Sequence, residues 1–262
     1  ESLKFDGSGD YVDLGDQLDI TGDFTISAYI NIENSETDYP IYAKSDETYS
    51  SGSLPKGYMF YINSNGWLHF CYRLSNGGSW VAIYYDMTMN YSQWYNVAVT
   101  RSNNDIQLFI DGESVASGTF SGDITFPDDV NTYIARWWNG GAGYGSNYNG
   151  LIDEVGIWND ALTAAEVTAL YNSGVALDAL SNSGDYASSD SLKGYWKMEE
   201  GTGTTLTDLS GNGNNGTISG ATWATGKKSS SYTNTANDIT APTISSLSPA
   251  DGATGVATTA NL

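Results

Sequence analysis

The chain has 262 residues, 31 acidic against ten basic side chains, and a formal net charge of −21. A surface of that sign repels phosphate backbones and anionic lipid, which argues against nucleic acid as a partner and against adsorption to acidic membranes. Its apolar residues come in short runs, none near the ~20 that a membrane helix needs, so no direct membrane insertion is expected.

Strands dominate residues 1–158. The opening Glu1-Ser-Leu-Lys-Phe-Asp-Gly already reads as a strand, so a secretion signal is expected upstream of it. Asp10, Asp13, Asp16 and Asp19 follow as an acidic cluster, read as solvated loop residues. Phe24-Thr-Ile-Ser-Ala-Tyr-Ile-Asn-Ile32 alternates apolar and polar residues with period two. Tyr58-Met-Phe-Tyr-Ile62 and Trp67-Leu-His-Phe70 flank Asn65-Gly66, a hairpin signal. The single histidine, His69, reads as a satisfied sheet residue, and the single cysteine, Cys71, as a buried small apolar one that leaves no internal disulfide. Trp94-Tyr-Asn-Val-Ala-Val-Thr100 alternates in the same way. Ile106-Gln-Leu-Phe-Ile110 runs into the two-residue turn Asp111-Gly112 and on to Glu113-Ser-Val-Ala. Many short strands separated by turn signals predict an all-β, two-sheet antiparallel sandwich.

One short helix is predicted over Leu162–Tyr171. Thr163 is its N-cap, with Glu166 three residues on to complete a capping box; Leu162 and Val167 sit at the hydrophobic-staple positions and Gly174 can close the C-terminus. Residues 176–191, rich in Ser, Asp, Ala and Gly, read as a linker or long surface loop. Leu192-Lys-Gly-Tyr-Trp-Lys-Met is a further strand. The glycine-punctuated loop Asp208-Leu-Ser-Gly-Asn-Gly-Asn-Asn-Gly216 follows, with last strands near Thr217-Ile-Ser and Ala221-Thr-Trp223. Residues 227–242 read as a polar linker.

Five segments together carry a resemblance: Phe5-Asp-Gly-Ser-Gly-Asp-Tyr-Val12, Phe24-Thr-Ile-Ser-Ala-Tyr29, Trp94-Tyr-Asn-Val-Ala-Val99, Leu108-Phe-Ile-Asp-Gly112 and Leu151-Ile-Asp-Glu-Val-Gly-Ile-Trp158 with the helix after it. They resemble the concanavalin A-like, laminin-G-type jelly rolls of bacterial secreted proteins, over residues 1–175 and again over 192–226. The order departs from that family, where the Gly-Tyr-Trp strand and the Asp-x-Ser-Gly-Asn-Gly loop come first; here Gly194-Tyr-Trp196 and Asp208–Gly216 come last. Residues 192–226 therefore either begin a second, truncated copy or fold back as a circular permutation that completes one domain over 1–226. The polar linker after them, and the Tyr and Trp side chains that a lone strand would expose, favour the second account. Thr240-Ala-Pro-Thr-Ile-Ser-Ser-Leu-Ser-Pro249 resembles the opening of a bacterial immunoglobulin-like domain, so residues 243–262 are expected to be its truncated start.

The resemblance implies a structural Ca²⁺. The glycines Gly211, Gly213 and Gly216 let a loop curl so that Asp208, Asn212, Asn215 and backbone carbonyls converge, and hard oxygen ligands suit that ion. By family likeness Asp153 reaches the same ion. The same residues also read as ordinary turn formers. Eight Trp and 19 Tyr suit either a β core or a sugar-binding face. Arg136-Trp-Trp-Asn-Gly-Gly-Ala-Gly-Tyr-Gly-Ser-Asn-Tyr148 places Trp137, Trp138, Tyr144 and Tyr148 around a polar glycine loop, with Arg136 beside them, and Trp80 stands at another loop edge. These six are the candidate ligand residues. No Glu-x-Asp-x-x-Glu strand is present, and Asp153-Glu154 and Glu199-Glu200 are adjacent pairs that should point to opposite faces, so a paired-carboxylate glycosidase is not expected. A triad built on one histidine is not expected either. The expected function is a non-catalytic, calcium-stabilised carbohydrate-binding or adhesion module of a secreted or cell-surface protein, monomeric as an isolated domain, with a polysaccharide or glycoconjugate as partner. The alternative is a structural or protein-binding spacer, and after it a hydrolase or lyase.

Overall fold

Period-two strands that are apolar on one side must bury that side, and here two antiparallel sheets bury it against each other. The computed structural model describes residues 1–34, 37–46, 56–73, 80–86, 88–122, 124–126, 129–138, 144–145 and 148–226. The expected linker 227–242 and the expected domain start 243–262 lie outside the described residues. The first sheet runs β10 (Glu113–Thr119), β9 (Asp105–Ile110), β8 (Trp94–Ser102), β3 (Phe24–Ile32), β14 (Asn149–Trp158), β1 (Ser2–Asp6) and β18 (Thr222–Ala224), with β15 (Leu192–Trp196) also paired to β14. The second runs β16 (Thr205–Leu206), β17 (Gly216–Ser219), β2 (Tyr11–Asp13), β11 (Tyr133–Ile134), β4 (Tyr39–Asp46), β5 (Lys56–Ile62), β6 (Leu68–Arg73) and β7 (Trp80–Tyr85). A small ribbon pairs β12 (Trp137–Trp138) with β13 (Tyr144–Gly145). The architecture is a concanavalin A-like jelly roll with one short helix.

Residues 192–226 are woven into both sheets. β15 lies antiparallel along the second half of β14, and β1 occupies the first half of the same edge. β18 extends the first sheet beyond β1, while β17 pairs with β2 in the second. Between the sheets, Phe5, Phe24, Ile26, Ile30, Tyr58, Phe70, Ile152 and Trp196 belong to one continuous buried cluster.

β3 departs from a half-exposed strand: all nine of its residues are buried. Its inward side meets the core and its outward side is covered. Thr25 Oγ1 donates to Asp160 O at 2.8 Å and accepts from Leu162 N at 2.9 Å. The cover is α1 (Ala164–Tyr171) with residues 176–191. Thr163 and Glu166 form the reciprocal capping box, and Leu162 and Val167 are both buried. The helix ends at Asn172, whose φ of 45° is left-handed, two residues before the Gly174 expected to close it. An Asn can take that conformation because its short polar side chain relieves it locally. Residues 176–191 are not a detached linker: Ala176, Ala179 and Tyr186 are buried, and Tyr186 donates its hydroxyl to Ala179 O at 2.8 Å.

Two Gly-x-Trp pairs seat the tryptophans of the first sheet. Residues i and i+2 of a strand share a face. A Cβ at Gly156 would lie 2.4 Å from the Trp158 ring, and one at Gly194 2.4 Å from the Trp196 ring. Each indole therefore lies down over its own strand. Trp158 does so on the covered outer face, Trp196 in the core.

Candidate functional site

With Tyr58, Phe60 and Ile62 of β5 and Leu68, Phe70 and Tyr72 of β6 turned into the core, their neighbours must face outward. The register sets Tyr61 opposite His69, and His69 opposite Tyr84 of β7. The three rings form a row across the outer face of the second sheet: Tyr61 and His69 stack at 5.0 Å and 29°, His69 and Tyr84 at 5.1 Å and 17°. Trp67, at the tip of the β5–β6 hairpin, stacks on Tyr84 at 6.0 Å and 12°. Trp137 closes the other end, 4.9 Å from Tyr61. Tyr84 is 52% exposed, while Tyr61, Trp67 and His69 are half-buried.

The row is held in place from below and from the side. Ala43, Met59, Cys71 and Trp137 make a small apolar cluster of their own on this face, with Tyr61 packed against it. Asn63 Nδ2 lies 2.9 Å from His69 Nε2. Burial lowers the basicity of His69, against a smaller opposing pull from Asp38. The neutral imidazole accepts the Asn63 amide proton at Nε2 and keeps its own proton on Nδ1. Such a row offers apolar ring surface with hydroxyl tips, preorganised by packing, which is what a pyranose ring with alternating apolar and hydroxyl faces can use.

The expected ligand residues divide. Trp137 is mostly buried as part of the cluster beneath the row, and joins the row by its edge contact with Tyr61. Arg136 lies over the ring of Tyr11 at 4.0 Å and over Tyr133 at 5.2 Å. Tyr148 is a correction: it is wholly buried, packs against Phe5 and Tyr39, and donates its hydroxyl to Leu151 O at 3.0 Å, leaving no surface for a ligand. Trp80, Trp138 and Tyr144 stand in β7, β12 and β13, and their side chains lie outside the described residues. Tyr61, Trp67, His69 and Tyr84 were not among the expected ligand residues. The signal for them was strand parity combined with hairpin register, not local composition.

The expected metal ligands are not brought to one point. Asp208 accepts from Tyr195 N and Ser210 N on Oδ1 and from Asn214 N on Oδ2, at 2.9–3.0 Å. Asn215 Oδ1 accepts from Asp208 N at 2.9 Å, and Asn212 Nδ2 donates to Leu192 O at 3.0 Å. Gly211 and Gly213 take φ of 84° and 80° and supply the curl. Asn214, absent from the expected set, is as buried as Asp208: its amide donates to Lys193 O, and its backbone carbonyl accepts from Trp196 Nε1. Asp153 lies elsewhere. Tyr195 spends both its N–H and its C=O on residues 208 and 209, so Asp208 lies beyond β15 from β14. That is roughly 10 Å, two strand spacings, from the strand carrying Asp153. Oxygens sharing one Ca²⁺ lie within about 5 Å of each other. Asp153 Oδ1 accepts from Glu154 N, and its Oδ2 lies beside Gly226. Among the described residues no three His, Cys, Asp or Glu side chains form a metal-holding group. The pair Asp153 and Asp208 does not fit one shared ion.

Glu154 does not simply point away from Asp153. The register slips between Asp153 and Gly156, Glu154 takes a φ of 50°, and both acids are buried. Glu154 accepts from the Tyr195 hydroxyl beneath the α1 cover. Burial pushes its carboxyl up to about 7.

Two antiparallel sheets around one core, with aromatics on an outer face that no described element covers, are the build of a lectin-type jelly roll. The family model described as the concanavalin A-like lectin/glucanases superfamily matches residues 6–168, and the chain belongs to that family. Among solved structures it is similar to a candidate carbohydrate-binding protein from Bacteroides ovatus, with a TM-score of 0.62 and 20% identity over 84% of this chain and 58% of that one. The chain thus spans little more than half the length of that protein. It is also similar to CBM40 of the Ruminococcus gnavus IT-sialidase bound to α2,3-sialyllactose, with a TM-score of 0.55 and 16% identity over 65% of this chain and 96% of that one. No curated protein matches the sequence. Among the described residues no helix is long and apolar enough to cross a membrane.

Proposed function

We propose that the chain is a non-catalytic carbohydrate-binding module that holds saccharide on the outer face of its second sheet. The observation that carries this reading is the stacked row Trp67–Tyr84–His69–Tyr61, over which no described element lies. The fold it shares with modules solved with bound saccharide is consistent with that use. Binding rather than hydrolysis is supported by the row itself, which offers ring surface and a neutral imidazole, while the neighbouring carboxylate, Asp38, accepts from Ser64 N. The adjacent acids Asp153 and Glu154 are buried in the other sheet. A polysaccharide or glycoconjugate partner places the module outside the cell or at its surface.

The test is a binding panel of soluble plant, marine and host polysaccharides and their oligosaccharides, run with the wild-type chain and Tyr84→Ala. At least one saccharide class should bind, and Tyr84→Ala should weaken it about tenfold, the equivalent of ~1.4 kcal/mol. A panel with no binder, or a Tyr84→Ala variant with wild-type affinity, overturns the reading and leaves the module as a spacer or protein-binding domain.

A further inference from the structure

A second concavity lies away from the aromatic row, at the end of the sandwich where residues 17–23 cross from the second sheet to the first. Its volume is about 570 Å³, within the range that holds a small ligand. Four separate stretches of chain wall it: Leu18 and Ile20 from the crossing loop, Asn159 just after β14, Lys193 on β15, and Asn212 and Asn214 from the Asp208–Gly216 loop. The wall is part apolar and part polar, its polar groups being amides, two carboxylates and one ammonium.

The crossing loop is built rather than slack. Lys44, on β4, is completely buried, and its Nζ reaches Asp16 at 2.7 Å, Asp19 at 2.5 Å and the carbonyl of Gln17 at 3.1 Å. Thr132 Oγ1 donates to the same carbonyl at 2.6 Å. These acids are therefore anchors of the loop and not only solvated residues. What they hold is a strained backbone: Leu18 has a φ of 67°, a left-handed conformation that L-residues with a Cβ rarely adopt. Strained residues persist only where their surroundings over-determine them, and the buried Lys44 ammonium with its three oxygen partners does that here. The opposite wall is fixed in the same manner, since the Asp208 carboxylate curls its loop and docks it on Tyr195 N, leaving Asn212 and Asn214 beside the cleft.

We propose that this cleft is a second saccharide site, for a short, neutral, hydroxyl-rich ligand. The wall carries two carboxylates, Asp19 and Asp23, against one ammonium, Lys193, and the Lys44 ammonium behind it is shared by Asp16 and Asp19, so the cleft does not attract an anionic ligand. The Asn212 and Asn214 side chains spend their N–H groups on Leu192 O, Ser210 Oγ and Lys193 O, which leaves their amide oxygens, with the Asp19 and Asp23 carboxylates, as acceptors; such a wall matches hydroxyl donors rather than a carboxylate or a phosphate. Leu18 and Ile20 offer apolar surface to the C–H side of a sugar ring. In this account the Asp208–Gly216 loop is shaped to present amides to a ligand.

The test uses the full chain and neutral cello-, xylo-, manno- and galacto-oligosaccharides, with binding followed by calorimetry and by backbone amide NMR. Binding at the cleft should shift the amide signals of residues 18–22 and 212–214, and should survive Tyr84→Ala. Asn159→Trp fills the cleft with bulk while leaving the backbone bond from Asn159 N to Ser191 O in place. It should weaken the Tyr84→Ala-resistant binding at least tenfold and leave any binding at the aromatic row unchanged. If Tyr84→Ala removes all binding, the second site is wrong and the aromatic row stands alone. If Asn159→Trp removes all binding and Tyr84→Ala none, the row is wrong and the cleft stands. Absence of amide shifts at residues 18–22 and 212–214 at saturating saccharide overturns the proposal directly.

Discussion

The outer face of the first sheet carries Phe109, Trp158 and Tyr195, and the outer face of the second carries Tyr61, His69 and Tyr84. The residue types are alike and their surroundings are not. On the first sheet, α1 and residues 176–191 lie over the rings: Trp158 Nε1 donates to the Tyr186 hydroxyl at 3.0 Å, and Tyr195 donates to Glu154. Every polar tip there is paired inside the protein. On the second sheet, no described element lies over the row, and Tyr84 keeps half its surface. Aromatic content alone does not separate a core from a binding face; what lies over the rings does.

That contrast predicts opposite costs. Trp158→Ala removes a fully covered indole, the ring that Gly156 makes room for, and the bond to Tyr186. It should cost about 3–5 kcal/mol of unfolding free energy in denaturant titration, with saccharide affinity unchanged at 25 °C in whatever fraction remains folded. A loss under ~1 kcal/mol would mean that the cover over the first sheet is loose.

The two faces should also answer pH in opposite senses. Glu154, pushed up by burial to about 7, binds its proton more tightly in the folded chain than in the unfolded one. Between roughly pH 4.5 and 7 the folded state therefore holds more protons, and stability falls as pH rises through that window, by an amount on the order of 3 kcal/mol. Glu154→Gln, which keeps an oxygen for the Tyr195 hydroxyl, should flatten that slope. His69 is shifted down by burial, so the unfolded chain binds the extra proton first. Its contribution is lost as pH falls below the usual imidazole range. A melting profile across pH in wild type and Glu154→Gln separates the two; an unchanged slope in the variant would mean that Glu154 is not the titrating group.

Tyr84→Ala is the counterpart of Trp158→Ala on the open face. Its effect on unfolding should stay within about 0.5 kcal/mol because the ring is half in water already, while saccharide affinity falls about tenfold. If the stability cost matches that of Trp158→Ala, the row is a structural brace.

The fold was largely readable because its signals were local. The Asp111-Gly112 turn pairs Ile110 with Glu113 as a two-residue hairpin, with φ of 51° and 79° at its two residues. The Thr163–Glu166 box starts the helix where its residues say it should. The binding face was not readable, because it depends on a register that one residue can invert. Asn65-Gly66 taken as a two-residue turn would set Tyr61 opposite Phe70, one ring out and one in. The chain instead closes on Asn63 and Trp67, with Gly66 N donating to Asn63 O at 2.8 Å, so the loop is one residue longer and Tyr61 meets His69. The cover over the first sheet was hidden for a different reason. Residues 176–191 have the composition of a loop, and the few that bury apolar surface, such as Ala179 and Tyr186 with Leu177 beside them, are scattered among polar ones.

The smallest expected effect concerns what holds β15 and its loop to the covered side. Asp208 binds three backbone N–H groups from Tyr195, Ser210 and Asn214, and Asn215 returns a bond to Asp208 N. A carboxylate offers about four lone-pair directions, so one is left for an ion, and Asp153 does not share the site. These bonds close the loop with the protein's own donors, each contributing about 1.5–3 kcal/mol as bonds to a charged group. A chelator added to the purified chain should accordingly leave its thermal midpoint within about 1 °C, and Asp208→Asn, which keeps the shape but loses the charge, should lower it by several degrees. The reverse pattern, a large drop with chelator restored by Ca²⁺, would mean that an ion takes the remaining direction on Asp208 together with loop carbonyls.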